Sequence, residues 1–288
     1  MNGEILAACE QERYDGIKHS RNFPIDAIKD CLKISGKKIK DIDEIAINNN
    51  FYELIKKIYI EPALGSKKRL NSLVNNIGRI KNLINLDNVI REKLNFKKKI
   101  TEYRHHYCHL TSAYYPSGFK NSLVVSYDGI GENESGMVGL ANKGKIKILA
   151  RGPEFPNSLG LFYSAITFYL GWRHHCDEGI IMGLAPYGNP YSKHKGKSFI
   201  KYLREIIIKK KDYDYEINKD WISYHLKRDT WISNKFIKTF GKPRKPNSKI
   251  SQIHKNIAAA LQLRLEEIVL GMLKYFQKKY KIKNLAIA

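Results

Sequence analysis

Residues 101–132 read TEYRHHYCHLTSAYYPSGFKNSLVVSYDGIGE. This stretch decides the fold, because it joins a histidine cluster to an apolar run that ends in a carboxylate and two glycines. His105 and His109 stand four apart, so a helix over residues 105–115 projects both imidazoles from one face, where they can close on a single metal ion. A bare His-x-x-x-His is also what surface or capping histidines look like. Residues 122–127 read as a buried strand, since Leu123, Val124 and Val125 form an apolar, largely β-branched run, and Asp128-Gly129-Ile130-Gly131 is its turn. An acidic residue at a strand's carboxyl end, followed by glycines that let backbone N–H groups approach a ligand, is one way to build a phosphate or metal-water site.

Outward from there, the chain has 288 residues, 43% apolar and 11% aromatic, enough to bury a sizeable core as one large domain or two lobes. Lys and Arg number 51 against 28 Asp and Glu, a formal charge of +23. Such a balance raises nucleic acid or an anionic membrane as partners. The excess is mostly Lys, spread along the chain beside abundant Ile and Asn, so it reads as a solvated basic surface rather than a dedicated polyanion site. Cys9, Cys31, Cys108 and Cys176 lie far apart without a CxxC pair, which fits a reducing compartment. No amino-terminal targeting pattern and no bilayer-length apolar run is present, so a soluble cytoplasmic protein without a membrane partner is expected.

Asn2-Gly3 reads as a hairpin turn followed by a strand over residues 4–10, the second arm of a hairpin. Residues 24–36, with Pro24 near the start, Ile25, Ile28 and Leu32 at helical spacing and Gly36 at the end, read as an amphipathic helix. Residues 43–48 form a short strand. Residues 51–99, with Leu73, Ile77, Ile80, Leu83 and Ile84 in helical register, read as a helical insertion without chemistry. Residues 136–151 alternate around Asn142-Lys143-Gly144 and form a hairpin. Residues 158–170 read as a helix whose stripe of Phe162, Tyr163, Phe168 and Tyr169 belongs to the core. Helices are expected over 192–210 and 251–280, a loop-rich segment over 211–249, and a strand over 284–288.

HHYCHLTSAYYPSGFKNSLVVSYDGIGE, FPNSLGLFYSAITFYLGW and EGIIMGLAPYG resemble, in order and spacing, the amino-terminal part of carbamoyltransferases of the nodulation-protein-U and tobramycin-carbamoyltransferase type. A fourth motif, EQERYDGIKHSRNFP, resembles the family's EEERF…KH…FP segment, with Gln11 in place of an acidic residue and Glu12, Arg13, Lys18 and His19 in matching positions. The resemblance covers nearly all of the chain, most weakly residues 51–99 and 191–242. It implies an α/β actin-like ATPase fold of two related ribonuclease-H-like lobes, here 1–119 and 120–288, the second incomplete. It also implies that both ends are cut. In the family a strand before this point carries a Gly-His-Asp/Asn phosphate loop, and a Gly-Gly-x-x-x-Asn loop follows the last strand.

The resemblance implies a metal, Fe(II) or another divalent ion, on His105 and His109, with a third ligand, an aspartate, from a later region that this chain lacks. His106 and Cys108 are expected to pack or support. Asp128 would orient metal-bound water or act as general base, with Glu132 as companion carboxylate. Gly129, Gly131, Gly183 and Gly188 would admit close backbone approach, and Lys18 and Arg244, the latter in a GKPR resembling the family's GPPR, would contact anions. Ile180 stands where the family usually has Lys, which removes one phosphate-holding cation. His174 and His175 receive no role. The implied activity is O-carbamoyl transfer. Carbamoyl phosphate and ATP give carbamoyladenylate in the full enzyme, partly through a missing carboxy-terminal region, and the carbamoyl group passes to a small-molecule hydroxyl, of a sugar or an antibiotic-like or nodulation acceptor. The alternative is a non-catalytic truncated actin-like module that binds RNA or a protein partner through its basic surface; a third reading is a metallohydrolase using the histidines alone.

Overall fold

The computed structural model describes residues 3–20, 22–227 and 230–288. The chain divides into two units, Met1–Ile47 with Gly78–Glu102, and Asn48–Ile77 with Tyr103–Ala288. In the first unit, Pro24 leads into a helix over Ile25–Ile34, and Gly36 follows at φ 64°, the left-handed stop that glycine makes without strain. Strand β1 (Glu44–Ile47) pairs in parallel with β2 (Lys99–Glu102). β1 matches the strand expected over residues 43–48, whereas β2 was hidden in Lys-Ile-Thr-Glu, too short for an alternation to show. The strand expected over residues 4–10 is not formed, because that segment finds no backbone ladder among the described residues. Asn2 of the expected Asn2-Gly3 turn lies outside the described residues.

The second unit is built on β3 (Asn121–Tyr127), β4 (Gly136–Asn142) and β5 (Lys145–Arg151), joined late in the chain by a further strand. Two short antiparallel pairs come between: β6 (Lys193–His194) with β7 (Lys197–Ser198), and β8 (Ile207–Lys209) with β9 (Tyr215–Ile217). The last strand, β10 (Leu285–Ile287), lies parallel to β3, and the sheet order is β10-β3-β4-β5 with the other pairs antiparallel. The β4–β5 turn places Lys143 at φ 47° and Gly144 at φ 80°, the two left-handed positions of a tight hairpin.

Period-two alternation in β3 sends neighbours to opposite faces. Val124 packs with Leu110, Tyr114, Met137 and Ala141, under the helix His105–Tyr114. Leu123 and Val125 pack with Val138, Met272 and Phe276, under the long helix Gln252–Tyr280. The largest apolar cluster joins that long helix to the helix Leu159–Tyr169 and contains Phe162, Ile166, Tyr169 and Leu261. Phe162, Tyr163 and Tyr169 are core as expected, while Phe168 is 45% exposed.

The single helix expected over residues 192–210 is broken. Lys195 at φ 49° and Gly196 at φ 81° turn the β6–β7 hairpin, and only Phe199–Ile206 is helical. Residues 51–94 are helical as expected, though Ile55–Ile60 widens to a π-helix. No described helix is long and apolar enough to cross a membrane.

Candidate metal centre

The histidine helix starts at His105, immediately after Arg104 in an extended conformation (ψ 133°). His105 and His109 leave one face a single turn apart, and the end of β3 delivers Asp128 to them. His105 Nε2 lies 2.7 Å from Asp128 Oδ2, His109 Nε2 lies 3.3 Å from the same oxygen, and the two Nε2 atoms are 3.0 Å apart. Three ligand atoms at right angles around an ion, each about 2.1 Å away, sit about 3 Å from one another. These three side chains therefore fit a metal, and all their donor atoms fall within 4.8 Å of one another. Asp128 Oδ1 is buried without a hydrogen-bond partner, with His106 Nε2 3.5 Å away. A carboxylate oxygen left this way is costly unless a ligand completes it.

Beside the aspartate that the resemblance places in a later region, Asp128 brings a carboxylate of this chain to the two histidines. Burial alone would raise the Asp128 carboxyl, but hydrogen bonds from His105 and His109 and the neighbouring imidazoles hold it well below the usual carboxylate range. The Asp128 bond raises His105 in turn, against an opposing effect of burial. His105 Nδ1 is 3.2 Å from the Asn48 carbonyl, which can only accept, so Nδ1 carries a proton and Nε2 is the nitrogen that faces the site.

His106 is fully buried and serves the scaffold. Its Nε2 donates to the Glu134 carbonyl at 2.9 Å, which leaves Nδ1 to accept from Ser126 Oγ at 3.0 Å. Burial lowers its pKa. Cys108 is half-buried, and burial raises its thiol.

Glu132 is not an open catalytic carboxylate: it is 1% exposed and its Oε1 accepts the backbone N–H groups of His105 at 3.0 Å and Asn50 at 2.9 Å. Gly131 serves packing, since a Cβ there would lie 3.0 Å from the His106 ring and 3.1 Å from His105 Cβ. Gly129 has ordinary room, since a Cβ there would lie 3.7 Å from Leu161. The turn carrying both is tied down by Ser158 Oγ, which donates to the Gly129 carbonyl. Gly183 lies inside the helix Glu178–Leu184 rather than in a loop, and Gly188 instead lets the chain press against the Lys255 carbonyl, 2.0 Å from where a Cβ would stand. Arg244 is buried: its Nε donates to the Leu170 carbonyl, its NH1 to the Ser248 carbonyl at 2.5 Å, and its guanidinium covers the Trp172 ring at 4.2 Å, so two of its donors hold the scaffold. Lys18 belongs to the first unit and is exposed. His175 donates its backbone N–H to Glu178, and His174 packs on Trp231 with ring centroids 4.5 Å apart.

Sequence reasoning missed Asn48, Asn50, Glu53 and Arg104. Arg104 bridges Glu53 at 2.5 Å and Glu134 at 3.1 Å, and Arg151 also reaches Glu134 at 2.6 Å. Glu53, within the stretch read as an insertion without chemistry, thus ties that stretch to the start of the histidine helix. Elsewhere in this unit, Met182, Ala185, Pro186, Tyr191, Leu263 and Glu266 line an open groove of about 480 Å³.

Over residues 1–288 the chain matches the family described as Carbamoyltransferase N-terminus. It is 31% identical to nodulation protein NolNO of Sinorhizobium fredii over 290 residues, covering 100% of this chain and 39% of that protein. An uncharacterized protein of Synechocystis, sll1178, is 29% identical across 100% of this chain and 47% of its own length. Nodulation protein NolO of Bradyrhizobium diazoefficiens is 34% identical over 184 residues, 64% of this chain and 30% of that protein. The chain thus spans less than half the length of these relatives.

Proposed function

Since this chain belongs to the carbamoyltransferase family, matching its amino-terminal part from end to end, we propose that its two-histidine, one-carboxylate centre serves O-carbamoyl transfer to an acceptor hydroxyl. The observation that carries this reading is the convergence of His105, His109 and Asp128 with separations that suit one ion. Fe(II) is the proposed ion, because two imidazoles and one carboxylate with open positions form a donor set of non-haem iron, with zinc or another divalent ion the substitute. When bound, the ion would supply Lewis-acid polarisation of the carbamoyl carbonyl.

The chain's own residues would hold and orient. His105 and His109 offer Nε2 and Asp128 offers Oδ2, and the Asp128 carboxylate would orient metal-bound water or take the proton of the acceptor hydroxyl. His106 keeps the helix and β3 in fixed relation through Ser126 and Glu134. Carbamoyl phosphate and ATP, with carbamoyladenylate as the activated donor, are the proposed substrates of the full protein, and a sugar or antibiotic-like alcohol the proposed acceptor.

The actin-like fold of two ribonuclease-H-like lobes, 1–119 and 120–288, belongs to the same reading. Its support is the order found after residue 120: strand, hairpin, helices and a final strand parallel to the first. A cytoplasmic setting agrees with four free cysteines. The test is metal analysis of the full-length protein reconstituted with Fe(II) under anaerobic conditions, beside an assay of ATP-dependent carbamoyl transfer from carbamoyl phosphate. Iron should bind and be lost when His105 and His109 are both replaced by Ala; unchanged metal content in that variant would sink the proposal.

A further inference from the structure

We infer that Glu132 is the positioning residue of this centre, fixing through backbone hydrogen bonds which nitrogen of His105 faces the ion. The inference rests on the metal reading above and adds a role for a residue that touches neither the ion nor a substrate. Glu132 Oε1 receives two N–H groups from separate segments, His105 at the start of the ligand helix and Asn50 in the segment 48–50. Two residues before Asn50, the Asn48 carbonyl accepts from His105 Nδ1 at 3.2 Å. One buried carboxylate oxygen therefore clamps the ligand histidine's own backbone to the segment that sets its tautomer.

Three further observations support the clamp. Arg104, at the helix start, makes no side-chain cap of its own, so the His105 N–H depends on Glu132. Asn50 also accepts from the Glu53 N–H at 2.9 Å, and Glu53 pairs with Arg104 at 2.5 Å, so the segment 48–54 is tied back to the helix at a second point. The clamp and the ligand share one turn: Asp128 and Glu132 are four residues apart, and Gly131 lets that turn lie against the His105 and His106 side chains. With the clamp gone, the Asn48 carbonyl is no longer held under Nδ1, and either imidazole nitrogen can carry the proton.

The experiment titrates Co(II), whose visible absorption reports coordination geometry, into full-length wild-type protein and the Glu132→Ala, Glu132→Asp and Glu132→Gln variants, with thermal unfolding measured alongside. Glu132→Ala should bind Co(II) about 10–100-fold more weakly and with an altered spectrum, the size of effect seen when supporting partners of metal ligands are removed. Glu132→Gln keeps an acceptor oxygen at the same reach and should recover most of the affinity and the spectrum, whereas Glu132→Asp, one methylene short of both N–H groups, should not. A Glu132→Ala protein that loses stability yet binds Co(II) with unchanged affinity and spectrum overturns the inference. If that variant does not fold, equal binding by Glu132→Asp and wild type overturns it in the same way. Wild-type protein that takes up no Co(II), or takes it up as well without His105 and His109, overturns the metal reading and the inference together.

Discussion

Gly160 presses on the backbone of Asp128, the carboxylate that faces His105 and His109: a Cβ on Gly160 would lie 2.3 Å from the Asp128 carbonyl oxygen and 2.7 Å from the Gly129 nitrogen. Gly160 sits in the first turn of the helix Leu159–Tyr169, where alanine would ordinarily be better by about 1 kcal/mol. The clash decides the sign, because backbone cannot rotate away as a side chain does, and overpacking of this kind costs about 1–3 kcal/mol. Gly160→Ala should therefore lower stability by about 1–2 kcal/mol in urea unfolding. Metal affinity should fall with it, since Asp128 must shift.

His106 offers a second test, because it is 0% exposed and both ring nitrogens are bonded, to Ser126 Oγ and the Glu134 carbonyl. His106→Ala removes the ring and strands two buried polar groups, a loss of about 3 kcal/mol. Ser126→Ala removes one hydroxyl and should cost about 1 kcal/mol. The double variant should cost less than the sum, since the two changes share one hydrogen bond, and a denaturant double-mutant cycle measures the difference.

What the sequence made legible was what side chains announce locally. The His105–Tyr114 helix, the strand β3 and the β4–β5 hairpin follow from spacing, from an apolar run and from Asn142-Lys143-Gly144. The bonds of Asn48 to His105 and of Asn50 to Glu132 were illegible because they use a backbone carbonyl and a backbone N–H, which nearly every residue type has. Arg244 and Glu132 illustrate a different limit. A guanidinium aimed at an anion and one aimed at carbonyls have the same letter, and burial distinguishes them only in three dimensions. The break at Lys195-Gly196 was missed within the helix expected over 192–210, and only its far side, where Ile200, Leu203 and Ile206 are buried, is helical.

The pH dependence of stability should carry a component from Glu267. Its carboxylate accepts from Arg204 and from Arg264, the latter at 2.6 Å, and it joins the long helix to the helix Phe199–Ile206. The Arg204 bond, with that from Arg264 and against some burial, lowers its pKa below the ordinary 4.5. A folded-state pKa below the unfolded one gives stability that is present above pH 4.5 and is lost as pH falls through the lowered folded value. Glu267→Gln should therefore be less stable than wild type at pH 7, by on the order of 1 kcal/mol given partial exposure. The gap should close as both proteins are taken down through the lowered folded-state pKa, and a gap that persists in stronger acid would assign the effect to packing instead.

Metal removal tests the centre through the fold itself. Without an ion, Asp128 Oδ1 stays buried and unpaired while Oδ2 is shared by two histidines, so a ligand that completes the site binds the folded chain and not the unfolded one. Free metal at a hundred times its dissociation constant then adds about 2.7 kcal/mol to unfolding free energy, and each further tenfold adds about 1.4. The Tm of wild-type protein should rise with the logarithm of free Fe(II) or Co(II) and fall back on chelation. In the variant with His105 and His109 both replaced by Ala, Tm should be flat across the same range. Asp128→Asn should keep the slope but displace it to higher metal, because an amide oxygen still coordinates while its charge is gone. An Asp128→Asn curve superimposed on wild type would leave the carboxylate outside the coordination shell and restrict the site to the two histidines.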